Sequence, residues 1–259
     1  MEQSLVTLDR QDALVILRLN RPQAYNSLSL QLLEALQAAL IELADDESIS
    51  VLVIAGTGRG FCSGHDLKEM RNAEDASLHQ RIFSTCSAVM QQIIAMPMPV
   101  IAQVHGIATA AGCQLVASCD LAVAADTSRF ATPGVNIGLF CSTPMVALSR
   151  AVQPKHAMEM LLLGDMISAQ RAAEIGLINW CVPAADLESY TLEVANKIAA
   201  HSRATVRLGK QGFYQQLNQN VEDAYDNCSQ RMVNNMQLED CVEGIDAFVN
   251  KRHPEWQHR

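Results

Sequence analysis

Apolar positions along the chain change period several times, and each change predicts an element. Leu5, Val6 and Leu8, then the run Leu14 to Leu19, read as strands. After Ser29, a residue suited to an N-cap, Leu32, Leu33, Leu36, Leu40 and Leu43 recur at spacings of three and four, which predicts a helix with one buried face. Val51 to Ala55 is an unbroken aliphatic run, read as a buried strand ending in the turn Gly56-Thr57-Gly58-Arg59-Gly60. An amphipathic stretch from Ser77 to Met96 predicts a long helix that Pro97 and Pro99 stop, and Val100 to Val104 reads as the next strand. A helix from about Ala111 to Cys119 and a strand from Leu121 to Ala124 continue a strand, turn, helix theme.

From Met145 onward the pattern turns mostly helical: Met158 to Leu163, Ala169 to Glu174, Leu187 to Ala200, Thr205 to Leu217 and Val221 to Val249. An α/β core over residues 1–195 followed by a helical region over 196–259 is the expected organisation. No Ser/Gly-rich linker separates the two, so they are expected to form one structural unit.

Composition narrows the function classes. With 259 residues and 49% apolar content the chain can fill a sizeable core. A net charge of −9 argues against nucleic acid or an anionic membrane as the main partner, though a local basic cluster can still hold a phosphorylated ligand. Eight cysteines without a C-x-x-C pair sit mostly in apolar runs, as expected of buried free thiols in a reducing compartment. Seven scattered histidines lack metal-ligand spacing, so no metal is expected. The strand-like pattern begins at once, with no basic leader ahead of an apolar stretch, and no window approaches the roughly 18 apolar residues of a membrane span. The expectation is therefore a cytoplasmic protein.

Two small-residue loops carry the candidate chemistry: Phe61-Cys62-Ser63-Gly64-His65-Asp66-Leu67 and Gly106-Ile107-Ala108-Thr109-Ala110-Ala111-Gly112-Cys113-Gln114. Each follows an aliphatic run, and the second also opens a helix. Backbone amides in such places can point at one carbonyl oxygen and stabilise negative charge developing there. A dinucleotide site fails on spacing, because Phe61 stands where the third glycine of G-x-G-x-x-G belongs. Ser63, His65 and Asp66 are too close in sequence to converge as nucleophile, base and orienter; a tight turn accounts for them equally well.

These strings, together with Asn20-Arg21-Pro22, Pro99-Val100-Ile101-Ala102, Cys119-Asp120 and Ile175-Gly176-Leu177, resemble the crotonase superfamily, the enoyl-CoA hydratase/isomerase family, over nearly the whole chain. The resemblance implies an α/β crotonase (ClpP/crotonase-like) fold of repeated ββα units, with C-terminal helices that assemble a homotrimer or dimer of trimers. It also implies an acyl-CoA thioester as ligand, with coenzyme A as part of the substrate and no separate cofactor. By position, the carbonyl oxygen falls to the main-chain N–H groups of His65 and Ala111. Arg21, Ser63, Asp66, Leu67 and Lys68 are the accompanying candidates for the coenzyme A moiety, and Lys251 or Arg252 is a further one.

The departures carry the chemical interest. Where hydratases of this family have two glutamates, this chain has Gln114 and Gly134. A glutamine amide orients water but does not exchange a proton at neutral pH, and glycine offers no side chain. Ordinary hydration is therefore expected to be weak or absent, and Gln114→Glu with Gly134→Glu is expected to raise it. Ser142 lies near a position that related dehalogenases give to a carboxylate; it reads alternatively as the N-cap of a helix opening at Pro144. Three functions stay open: an acyl-CoA enzyme needing little proton transfer, such as a decarboxylase, a thioesterase or an atypical hydratase; a non-catalytic acyl-CoA binder that modulates fatty-acid metabolism; and an assembly protein retaining only the fold.

Overall fold

The computed structural model describes residues 4–259. A hairpin of β1 (Val6–Gln11) and β2 (Leu14–Leu19) leads into α1 (Leu30–Ala44) and β3 (Val51–Gly56). The short α2 (Leu67–Arg71) and long α3 (Ala76–Ala95) precede β4 (Val100–Val104), β5 (Ile107–Thr109), α4 (Ala111–Ser118), β6 (Leu121–Ala125) and β7 (Arg129–Ala131). There follow α5 (Pro144–Ala151), α6 (Pro154–Leu163), β8 (Ile167–Ser168), α7 (Ala169–Glu174) and β9 (Trp180–Val182). The chain then runs through α8 (Leu187–Ala199), α9 (Arg203–Gln216), α10 (Val221–Asn235) and α11 (Glu239–Val249).

The main sheet has the order β1-β2-β3-β4-β6-β9 and is antiparallel only between β1 and β2. Both of its faces are covered, which is why the central strands read as continuous apolar runs and not as alternations. Leu17, Leu19, Leu52 and Ile54 turn to one side and pack with Leu33 and Leu36 of α1, Ile82 and Cys86 of α3 and Leu115 of α4. Their neighbours Ile16, Val51, Val53 and Ala55 turn to the other side, where Val194 and Ala195 of α8 close a second cluster. Ser29 caps α1 as expected, its Oγ accepting the Leu32 N–H at 3.3 Å.

The structure adds a small second sheet, β5-β7-β8, whose strands of two or three residues are too short to leave a period in the sequence. It also divides the expected helix Val221 to Val249 into α10 and α11. The C-terminal residues explain the break. Gln257 donates its N–H to Asp240 Oδ1 at 2.6 Å, and the Asp240 N–H donates to the Arg259 carbonyl at 3.2 Å. A continuous helix would consume that N–H in its own ladder. Among the described residues no helix is long and apolar enough to cross a membrane.

Candidate active site

The loop after β3 is held by one buried side chain, Asn26, from a strained turn between β2 and α1. Tyr25 and Asn26 both have positive φ, 50° and 53°. Asn26 Nδ2 donates to the carbonyls of Thr57 and Gly60 at 2.9 Å and of Phe61 at 3.1 Å, while its Oδ1 accepts the Arg21 N–H at 2.9 Å. Sequence reading missed Asn26; its only signal there is a turn-forming residue type. The loop then leans on β5, with the Cys62 N–H bonded to the Ile107 carbonyl and the Cys62 carbonyl accepting the Thr109 N–H, both at 3.0 Å.

These bonds bring the two candidate donors side by side. Gly64 has φ +94°, and a Cβ there would lie 2.8 Å from Ala110 Cβ and 3.3 Å from the Ala111 nitrogen. Only glycine permits both the conformation and the approach. Leu28 N–H donates to the Gly64 carbonyl and Asp66 N–H to the Leu28 carbonyl, so the His65 N–H between them points away from this partner. Ala110 holds φ 49° and ψ −117°, a strained setting for a residue with a side chain, with its N–H bonded to the Ala131 carbonyl at 2.9 Å. Ala111 is thereby the first residue of α4, where the amides have no intrahelical acceptor. Among the described residues, neither the His65 nor the Ala111 N–H has an acceptor within the protein.

Two side chains of these segments, Gln114 and His65, each bury a polar atom. Gln114 is 4% exposed and its Oε1 lacks a partner. The His65 ring stacks edge-on against Phe83 at 5.3 Å, and its Nε2 is buried without a partner. Desolvation lowers the His65 pKa from 6.5 to about 4, so the folded protein holds this imidazole neutral. Because the unfolded chain binds that proton first, the ring lowers stability as pH falls from 6.5 through 4 and leaves it unchanged above. Replacing His65 by phenylalanine should flatten the stability curve across that window, as urea titrations at pH 7.0, 5.5 and 4.5 would measure.

Gly134 is the second residue of the 3₁₀ turn Pro133–Ile137 that follows β7. A Cβ at this position would lie 2.6 Å from the Leu139 carbonyl oxygen and 2.9 Å from Cys141 Sγ. The expectation that Gly134→Glu adds a working carboxylate is therefore corrected: backbone occupies the space a side chain needs. Cys141 and Cys113 are buried, and burial pushes the thiol of Cys113 up to about 12. The Ser142 reading is corrected as well. The residue that caps α5 is Thr143, without a side-chain bond, because Ser142 is exposed and turns its Oγ to the Phe140 carbonyl at 3.4 Å.

The basic candidates separate cleanly. Arg21 bonds Asp66 Oδ2 at 2.7 Å and donates to the Ser27 carbonyl and hydroxyl, so its guanidinium braces the loop. Desolvation pulls the Asp66 carboxyl up, but Arg21 and the amides of Glu69 and Lys68 outweigh it and hold the group below its ordinary range. Asp66 thereby caps α2, and Glu69 Oε2 accepts the Leu30 N–H at the start of α1. The Ser63 carbonyl accepts a hydrogen bond from the Thr109 hydroxyl at 3.0 Å. Leu67 and Lys68 are exposed at the loop's outer edge, and Lys68 forms no ion pair among the described residues. Lys251 is exposed far along the chain, while Arg252 is spent on Glu243 and Asp246.

The enoyl-CoA hydratase/isomerase family model matches residues 9–259. The mitochondrial enoyl-CoA hydratase domain-containing protein 3 of mouse is 50% identical over 257 residues, covering 99% of this chain and 86% of that protein. The human form is 52% identical over 240 residues, covering 93% of this chain and 79% of that protein. The crystal structure of human enoyl coenzyme A hydratase domain-containing protein 3 superimposes with a TM-score of 0.95 at 50% identity, covering 97% of this chain and 100% of that one. An enoyl-CoA hydratase from Mycobacterium smegmatis gives 0.96 at 49% identity, covering 98% and 99%. The cytoplasmic expectation is overturned here, since the mouse and human relatives are both named as mitochondrial. That expectation rested on the lack of a secretory-type leader pattern and of a membrane-length apolar window, neither of which distinguishes cytoplasm from mitochondrion. A matching family model over almost the whole chain, half-identical relatives and coincident folds place this chain in the enoyl-CoA hydratase/isomerase family.

Proposed function

We propose that the protein binds an acyl-CoA thioester with the carbonyl oxygen held between the N–H groups of His65 and Ala111, and that it hydrates enoyl-CoA slowly. The observation that carries this reading is the pair of adjacent main-chain donors without an internal acceptor. Donors fixed before the ligand arrives stabilise an enolate-like oxygen without reorganisation, each contributing roughly 3 kcal/mol. Proton transfer is the weak side. Gln114 and Gly134 stand where the family resemblance places glutamates, and the loop's own carboxylates, Asp66 and Glu69, are engaged in capping α2 and α1. A positioned acid or base supplies about 10² to 10⁴ in rate, which is the scale of the expected deficit. Lys68, exposed beside the donor loop, is the candidate for a coenzyme A phosphate.

Assembly as a homotrimer or dimer of trimers fits the apolar surface that the C-terminal helices leave open. Phe213, Leu217, Val221, Tyr225, Met232 and Phe248 are exposed there, Phe248 at 84%.

A crotonyl-CoA assay with calorimetry in parallel tests the reading. We expect the wild type to bind the thioester while hydrating it slowly, and Gln114→Glu to raise the rate by about 10- to 100-fold. Absence of thioester binding, or full turnover by the wild type, would overturn it.

A further inference from the structure

A cavity of about 580 Å³ lies at the opposite edge of the main sheet from the two donor loops. Ser50 and Pro99, which line it, precede β3 and β4, whereas the donor loops follow the far ends of those strands. Its size is that of a small-molecule site. One wall is apolar, with Ile49, Met98 and Leu208. The other is the start of α9, with Arg203, Ala204 and Arg207, joined by His258 from near the C-terminus.

The cations of this wall lack partners. Of the three on α9, Lys210 alone has a carboxylate partner among the described residues, and the guanidiniums of Arg203 and Arg207 donate to no acceptor there. Four residues apart at the positive end of a helix, these two arginines are opposed by each other and by the helix dipole. The carboxylates lining the cavity do not offset them, because Asp46 is bound to Arg10 at 2.6 Å and Glu47 is exposed to solvent. Arg259 is bound to Glu239 at 2.8 Å. Donors gather at the same wall. The Arg203 N–H donates to His258 Nδ1 at 3.2 Å, which leaves Nε2 as that ring's donor. Ser202 Oγ takes the Thr205 N–H, and the Ala204 N–H has no acceptor among the described residues. Ser50 is 5% exposed, and its Oγ has no partner. An unpaired oxygen alone marks nothing, since Gln103 and Gln219 each have one outside this cavity. Ser50 differs in sharing a cavity with two unpaired guanidiniums.

We propose that this cavity binds a phosphomonoester with a compact apolar or aromatic body. Two guanidiniums, an amide, an imidazole N–H and a hydroxyl offer more donors than the two oxygens of a carboxylate accept. A phosphate monoester presents three acceptor oxygens and a charge of about −1.5 to −2, which arginine forks match. The apolar wall takes the organic group. An anion there also removes the repulsion at the start of α9, and so fastens to the core the helix that Lys210 ties to Asp120. No residue of the donor loops lines the cavity, so the proposal stands apart from the acyl-CoA reading.

Calorimetry and thermal melts of the full chain with phenyl phosphate, benzoate and inorganic phosphate test the proposal. We expect phenyl phosphate to bind saturably with a Kd below about 1 mM, to raise Tm, and to bind at least about tenfold more tightly than the other two. In the double variant Arg203→Gln with Arg207→Gln, that affinity should fall at least about tenfold. Without ligand the double variant should melt no lower than the wild type, because it has lost a pair of like charges and no contact. A lower Tm, or failure to fold, would make the pair structural and overturn the proposal. So would the absence of saturable binding, an affinity unchanged in the double variant, or equal affinity for benzoate or inorganic phosphate. Binding abolished by Lys68→Gln and untouched by the arginine changes would place the probe beside the donor loops, and that result too would overturn it.

Discussion

Replacing Gly112 by alanine should cost the protein stability and its hold on a thioester together. The new Cβ would lie 2.1 Å from the Cys62 carbonyl oxygen, 2.8 Å from its carbon and 2.9 Å from Cys62 Cβ. Cys62 has nowhere to retreat, because its N–H and carbonyl are bonded to Ile107 and Thr109. The strain therefore falls on the first turn of α4, which carries the Ala111 N–H. Forcing a methyl into such a contact costs about 1–3 kcal/mol, and a shifted donor no longer meets the carbonyl oxygen. Urea unfolding should register the first effect, and calorimetry with butyryl-CoA a loss in affinity of at least about tenfold. Gly209 of α9 is the matched control: a Cβ there meets nothing within 4 Å, so Gly209→Ala should be neutral or stabilising by up to about 1 kcal/mol. Equal behaviour of the two variants would refute the assignment of Gly112 as a contact glycine.

Lys210→Met should give the largest loss of stability of any single charge removal. The Lys210 side chain is 6% exposed, that of Asp120 16%, and their Nζ and Oδ2 lie 2.7 Å apart. Lys210 also donates to the carbonyls of Ile93 and Met98, and Tyr214 donates its hydroxyl to Asp120 Oδ1 at 2.8 Å. Asp120 in turn accepts the Val100 N–H at 2.6 Å, so the cluster ties α9 to the start of β4. Removing one partner leaves a buried carboxylate uncompensated, an effect of about 3–5 kcal/mol. Adding Asp120→Asn should recover part of it, since the amide oxygen still accepts a hydrogen bond without a charge to solvate. A loss below about 1 kcal/mol for Lys210→Met would mean that the C-terminal helices dock by other means.

The sequence made the larger elements legible because their periods are long enough to read. The leucines of α1, the run before Gly56 and the boundaries of α7 are all recoverable from residue type alone. The strands β5, β7 and β8 are not, being two or three residues each and defined by pairing with distant chain. The split between α10 and α11 escaped for a similar reason: it depends on a C-terminal strap around Asp240, absent from any local pattern. In the site, the two donor loops were visible through their small residues, yet Arg21 turned out to be bound to Asp66, 45 residues away. Asn26, which ties the loop together, carried no signal beyond a turn.

What residue order supplied alone was the set of residue types: small residues in two loops, and Gln114 and Gly134 where the family resemblance places carboxylates. Those are properties of side-chain type and need no coordinates. Only the folded chain decided which polar atoms stay unpaired, that burial lowers the pKa of His65, and that position 134 has no room for a side chain. Desolvation, hydrogen-bond pairing and steric contact all depend on neighbours from remote segments, and tertiary packing alone brings those neighbours together.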